Sequence, residues 1–269
     1  MLKLVHHNFN VILSLVLCLS VVFGYPNVAQ ADKAVQSVLF DPSSTAVSVA
    51  NIYETTATTQ KDVISGVMKS SKSFFKKTPG LNSFSLLKSE DGARVLTLTQ
   101  WQTPESYQAF IAPPAEESPE SSKKEKKGKA AVAPTRTVVF KIDKTQAPEG
   151  VIPAVAGKAT LVQFSEITAK APDDQSKLLA SAEEMLSGVP QMYPAPQSAV
   201  VFQGVDSANL ALLASWGYSS AEFADLSKVP TLNPLSDDVA ALADSDQHLY
   251  EVVNVIAPKA KKEKGSKEE

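Results

Sequence analysis

The stretch "TLTQWQTPESYQAF", Thr97 to Phe110, reads as an apolar strand that ends on a tryptophan and turns at once into a capped helix. A second version, "LLASWGYSSAEFADL", stands at Leu212 to Leu226, with its tryptophan 115 residues further on. The pair sets the register of a duplication. "NIYETTA" at Asn51 to Ala57 matches "QFSEITA" at Gln163 to Ala169 at an offset of 112, which Asp62 and Asp174 keep. From Pro79 and Pro194 onward the offset is 115, and Ser83 matches Ser198, Asp91 matches Asp206 and Trp101 matches Trp216. A period this long means a duplicated domain rather than a solenoid.

Each half reads as strand, helix, hairpin, helix, strand. "AVSVANIY" alternates and is rich in β-branched residues, which suits a strand. Thr59 is placed to cap a helix in which Val63, Val67 and Phe74, with Ile64, Met68 and Phe75, recur at helical spacing. "SFSLLK" and "RVLTLTQW" form a hairpin around Asp91-Gly92. Thr103-Pro104-Glu105 then opens the second helix with a cap, a proline in the first turn and an acid facing the helix dipole. "TVVFKID" is the last strand.

In the second half, "ATLVQFSEI" is the first strand, and Asp173 or Asp174 caps a helix carrying Leu178, Leu179, Ala182, Met185 and Leu186. "SAVVFQG" and "NLALLASW" make the hairpin, "SSAE" at Ser219 to Glu222 has capping-box spacing, and "LYEVVNVIAP" closes the half.

The order βαββαβ is the ferredoxin-like split unit, which carries helices on one sheet face only. Its strands here look apolar on both faces, so the bare face of each sheet needs a partner. The expected fold is therefore α+β: two ferredoxin-like domains packed sheet to sheet as an internal pseudo-dimer, spanning residues 46–148 and 158–258.

Three segments fall outside that plan. A mildly basic opening, the apolar run "VILSLVLCLSVVF" and "AQA" at Ala29 to Ala31 read as a signal peptide, residues 1–31, cleaved after Ala31. The run is shorter than the roughly 20 residues a membrane-spanning helix needs, so no stable membrane insertion is expected after cleavage. The expected location is the periplasm or an equivalent lumenal or extracellular compartment. The insertion 112–134 and the tail 259–269 are rich in Lys and Glu and poor in large apolar groups, and both are expected to be disordered.

Removing the leader takes away Lys3, its only charge, and leaves 238 residues with a net charge of −4. So mild a balance gives no reason to expect nucleic acid as a partner. Cys18, His6 and His7 leave too, so the mature chain has no thiol chemistry and His248 is its one histidine. A multi-histidine metal site cannot be built, and no phosphate-binding glycine loop is present.

The stretch from Asn51 to Phe110 resembles the antibiotic biosynthesis monooxygenase domain of the dimeric α/β-barrel superfamily. The features that carry the resemblance are the first-strand asparagine, Pro79-Gly80 after the first helix, the Asp91-Gly92 hairpin running to Trp101, and the helix holding Ser106 and Tyr107. It covers Val47 to Phe110 well and the second half faintly. Members usually pair two ferredoxin-like units through their sheets. Some oxidise polycyclic aromatic substrates with dioxygen and neither metal nor flavin. Others degrade haem with a first-strand asparagine, a third-strand tryptophan and a second-helix histidine as iron ligand.

Asn51 and Trp101 match the first two of those positions, but "PESYQAFIA" holds no histidine, so no cofactor, haem included, is expected. The resemblance implies Asn51 and Trp101 as catalytic residues, with Tyr53, Tyr107 and Arg94 binding substrate and Gln163 and Trp216 as second-half equivalents. The residues themselves leave other accounts open. Buried tryptophans are ordinary core, Arg94 suits a surface charge, and Glu54 and Glu166 suit strand-end acids facing solvent. At the Tyr107 position the second half has Phe223, which points to packing. The expected function is an exported cofactor-independent monooxygenase acting on a small aromatic or quinol-type molecule. The alternative is a non-catalytic ligand- or partner-binding protein on the same fold.

Overall fold

The computed structural model describes residues 36–112, 132–222 and 225–257. The leader, residues 113–131 of the insertion, Phe223 and the tail lie outside the described residues.

In chain order the strands are β1 (Ser37–Leu39), β2 (Val47–Glu54), β3 (Leu81–Ser89), β4 (Arg94–Trp101), β5 (Arg136–Gln146), β6 (Ala154–Ala156), β7 (Thr160–Ala169), β8 (Ser198–Gly204), β9 (Asn209–Ser219) and β10 (Ala243–Ile256). The helices are α1 (Gln60–Lys77), α2 (Pro104–Ile111), α3 (Gln175–Gly188) and the short α4 (Asp237–Ala240).

Eight strands close into one barrel in the order β10-β3-β4-β2-β5-β8-β9-β7, with β7 pairing back to β10. The first half contributes β3-β4-β2-β5 and the second β8-β9-β7-β10, so the two halves share one strand order. They meet as the expected pseudo-dimer and are stitched further, since the last strand of each half hydrogen-bonds the second strand of the other. Those seams are β5 with β8 and β10 with β3.

Strand periodicity sends alternate residues in and out of the barrel. Ala50, Ile52, Leu96, Leu98, Val138, Phe140, Val162, Phe164, Phe202 and Leu213 fill the interior. Phe140 and Phe202, one from each half, stand 6.0 Å apart at its centre. The outward residues of the same strands lie under helices: Val47, Val49 and Trp101 against α2 and the end of α1, and Ala199, Val201, Ala214 and Trp216 against α3. A strand buried on both faces has no reason to alternate, which explains the continuous apolar runs in β4 and β9.

The two mouths of the barrel are closed differently. A ribbon of β1 and β6, not anticipated from sequence, stoppers one mouth with Val38, Phe40 and Val155, all fully buried. Gln100 fastens it by donating to the Leu39 carbonyl. The other mouth is polar and is described below.

Several local expectations need correction. Thr59 is itself helical and caps nothing; the Thr56 hydroxyl accepts its N–H at 3.3 Å instead. Asp174 makes no cap bond either, because a 3-10 turn at Pro172–Asp174 leads into α3. Thr103 does cap α2, accepting the Ser106 N–H at 3.2 Å. The second helix expected after Ser219 is replaced among the described residues by 3-10 turns at Ser220–Glu222 and Leu226–Lys228. Glu222 still reaches back to the Ser219 N–H at 2.5 Å, so half of the capping box forms. Pro230 and Pro234 then deny the backbone the amide donors a helix needs, and the chain runs on as a loop.

Candidate functional site

Asn51 lies on the outward face of β2, level with Thr97 of β4 on one side and Thr137 of β5 on the other. Its Nδ2 donates to the Thr97 hydroxyl at 3.2 Å, and its Oδ1 accepts from Thr137 at 2.7 Å. Thr97 also hydrogen-bonds the phenol of Tyr53, which burial pushes above its usual pKa. The four side chains form a polar strip on an otherwise apolar sheet face. The amide is half-buried, its orientation is fixed by Thr137, and its second N–H is not engaged by either threonine. Thr97 and Thr137 were missed in the sequence, because only cross-strand register brings them beside Asn51.

Trp101 does not join that strip. It pairs with Val47, four residues beyond the Asn51–Thr97 pair, or roughly 13 Å along the strands. The pair Val49–Thr99 lies between, and both residues are buried. The Trp101 ring is 1 % exposed, edge-on to Tyr107 at 5.4 Å and tilted against Phe110 at 4.9 Å. Its Nε1 donates to Thr99 at 3.2 Å. Tyr107 is likewise buried, and its phenol is pushed above its usual pKa.

The second-half equivalents occupy the same face and are sealed. Gln163 is fully buried, donates to the Leu232 carbonyl at 2.7 Å and accepts the Leu232 N–H at 2.8 Å. That clamp holds the loop after β9 down, and Leu232 packs with Trp216, Leu186 and Ala182. Gln163 faces Ala214, two residues before Trp216, so the β7–β9 register is slipped by two residues from that of β2–β4. A two-residue slip keeps every side chain on its face while changing its neighbours. Trp216 is 1 % exposed and its Nε1 has no partner among the described residues.

Arg94 is separated from Asn51 by the sheet. It shares the inward face of β4 with Leu96 and Leu98 and reaches the polar mouth, where its Nε donates to Asp246 at 3.2 Å. It is neither an isolated surface charge nor part of the Asn51 strip. Glu166, expected to face solvent, is 3 % exposed and points into the same mouth. Arg136 donates to it from Nη2 at 2.7 Å and from Nε at 2.9 Å, and Asn209 donates at 2.9 Å. Glu54 is exposed, as expected.

His248 belongs to β10 itself rather than preceding it, because that strand begins at Ala243. Its Nδ1 lies 2.6 Å from Asp91 and its Nε2 2.8 Å from Asp246. With both nitrogens engaged at the mouth, this histidine does not fit the role of an iron ligand beside Asn51. Among the described residues no three His, Cys, Asp or Glu side chains are grouped to hold a metal ion. An open cleft of about 360 Å³ lies beside the mouth, lined by Glu90, Asp91, Thr231 and His248 among others, and includes neither Asn51 nor Trp101.

No protein-family model and no curated protein sequence matches the chain. Solved structures do. An anthrone oxidase-like protein superimposes with a TM-score of 0.60 at 16 % identity, covering 84 % of this chain and 98 % of its own. A ferredoxin-fold protein related to antibiotic biosynthesis monooxygenases, from Listeria monocytogenes, gives 0.38 at 12 % identity over 78 % of this chain and 96 % of its own. A monooxygenase-like protein from Listeria innocua gives 0.37 at 10 % identity over 80 % of this chain and 96 % of its own. The chain thus shares the fold of the anthrone oxidase-like protein, here a closed eight-stranded barrel with helices outside it, whose two halves lie on one polypeptide.

Proposed function

We propose that the protein is a single-site, cofactor-independent monooxygenase that takes an aromatic or quinol-type molecule at the Asn51 face of its first half. The observation that supports this reading is the contrast between the two amides. Gln163 has both ends engaged by the backbone of a covering loop, whereas Asn51 is held only by hydroxyls and keeps a donor.

The chemistry asks little of the protein. A phenol that has lost its proton is electron-rich enough to reduce dioxygen; one oxygen atom enters a ring carbon, the other leaves as water, and the phenol becomes a quinone. Asn51 donates its remaining N–H to the substrate oxyanion, Thr137 keeps the amide from turning, and the sheet's apolar face excludes water. Burial favours the neutral form of Tyr53, which is no base, so the substrate sheds its first proton to solvent before it docks. Trp101 acts as a packed wall. We propose also that the protein is exported and loses its leader after Ala31, which N-terminal sequencing of the exported form checks.

A second reading has its own support: Trp101 is sealed by Tyr107 and Phe110 with its N–H engaged, as in a protein that binds at this face without turnover. Oxygen uptake with a dihydroxynaphthalene separates the two. Uptake lost in Asn51→Ala is the expected result; binding without uptake in the wild type assigns the non-catalytic role.

A further inference from the structure

The polar mouth of the barrel is assembled from both halves. Asp91, Arg94 and Arg136 come from the first, and Glu166, Asp246 and His248 from the second. Four ion pairs cross between them: His248 with Asp91, Arg94 with Asp246, and Arg136 with both Glu166 and Asp246. We propose that this mouth is a proton-operated lock between the halves, with His248 as its moving part.

The geometry of the ring carries the proposal. A neutral imidazole has one N–H and one lone pair, and an imidazolium has two N–H donors. His248 sits between two carboxylates, 2.6 Å from Asp91 on the hairpin of the first half and 2.8 Å from Asp246 on its own strand. Only the charged ring donates to both. A neutral ring turns its lone pair toward one carboxylate at that distance, and one of the two contacts opens. When the lost contact is Asp91, the turn of the β3–β4 hairpin loses its side-chain tie to β10 while the β3–β10 ladder stays paired.

The remaining charges leave the ring no substitute. Arg94 of β4 and Arg136 of β5 are shared among Asp246 and Glu166 of β7, so loss of the imidazolium leaves three carboxylates facing two guanidiniums. Tyr250, edge-on to His248 at 6.0 Å, is kept neutral because burial drives its phenol far above its usual pKa. Glu90, in the turn beside Asp91, is pushed upward by burial and adds no cation.

The direction of the switch follows. The hydrogen bond to Asp246 holds His248 above its ordinary pKa, burial opposes it, and Asp91 adds to the rise. The lock is therefore fully closed below the unfolded-chain value of about 6.5 and is released as pH rises through the higher folded value. The His248 hydrogen bond is also the main reason that Asp246 lies far below the usual carboxylate range. Burial opposes ionisation of Asp91, but bonds from Ser89, the Ala93 N–H and His248 bring it below its usual value as well. Both carboxylates stay charged across the neutral range, so of these three groups it is the histidine that switches there.

The test uses the intact mature chain. The His248 imidazole is titrated by NMR, and thermal denaturation is followed from about pH 5 to about pH 9 in the wild type and in His248→Gln. The lock requires a His248 pKa above about 6.5. It also requires a folded-to-unfolded ratio that falls about tenfold per unit of that rise as pH passes both values, and a flat profile over the same interval in His248→Gln. A wild-type His248 that titrates at or below about 6.5 overturns the proposal, as does a His248→Gln profile parallel to the wild type. Should His248→Gln fail to fold, the wild-type titration decides alone.

Discussion

Asn51 and Gln163 stand at corresponding places in two copies of one plan, and their surroundings have diverged. Around Asn51 the outward sheet face offers hydroxyls and a half-buried amide, and a real helix, α2, packs further along the same strands on Val47, Val49 and Trp101. Around Gln163 the helix has been replaced by a proline-interrupted loop whose backbone grips the amide at both ends. The inward faces show the opposite trend: both halves give large apolar side chains to one shared core. The barrel draws on both halves in one strand order, whereas their outer faces differ in what covers them.

Four substitutions probe that contrast. The largest effect belongs to Arg136→Ala, which leaves the buried Glu166 carboxylate with Asn209 as its remaining partner and should cost about 3–5 kcal/mol in denaturant unfolding. It tests whether the halves share one fate: a single transition at lower denaturant is expected, whereas two separate transitions would mean the halves unfold independently. Leu232→Ala comes next, at about 2–4 kcal/mol, because the loop side chain is part of the second-half core. Gln163→Ala should cost about 2 kcal/mol, since it strands the Leu232 N–H and carbonyl, yet leave oxygen uptake unchanged. Asn51→Ala is the smallest in stability, under about 1 kcal/mol, and abolishes uptake. Equal behaviour of the Asn51 and Gln163 variants in both assays would erase the distinction between the halves.

Most of the fold was legible because it rests on local signals. The Asp91-Gly92 turn, the Thr103-Pro104 helix start and the paired tryptophans each specify their own segment, and their shared order in the two halves arranges them. Gly92, at φ 76°, is the turn's left-handed residue, and a Cβ there would come within 2.9 Å of Ala57. What could not be read depends on pairing at long range. The β1–β6 ribbon is too short to carry a periodic pattern. The two-residue slip of β9 leaves the burial pattern unchanged. The polar mouth collects Asp91, Arg94, Arg136, Glu166, Asp246 and His248 from four stretches of the chain, and only barrel closure brings them together. Asn51 and Gln163 could be named from the repeat, but which of them is open depended on where Leu232 comes to rest.

The side-chain N–H signals of the two tryptophans, Asn51 and Gln163 give the most direct test of the single-site account. An NMR titration of the protein with an oxygen-inert hydroxyquinone should shift the Asn51 amide, with weaker effects at the Trp101 indole, and saturate at one molecule per chain. The Gln163 amide and the Trp216 indole should stay in place. Shifts centred on Gln163 and Trp216, or saturation at two molecules per chain, would contradict it.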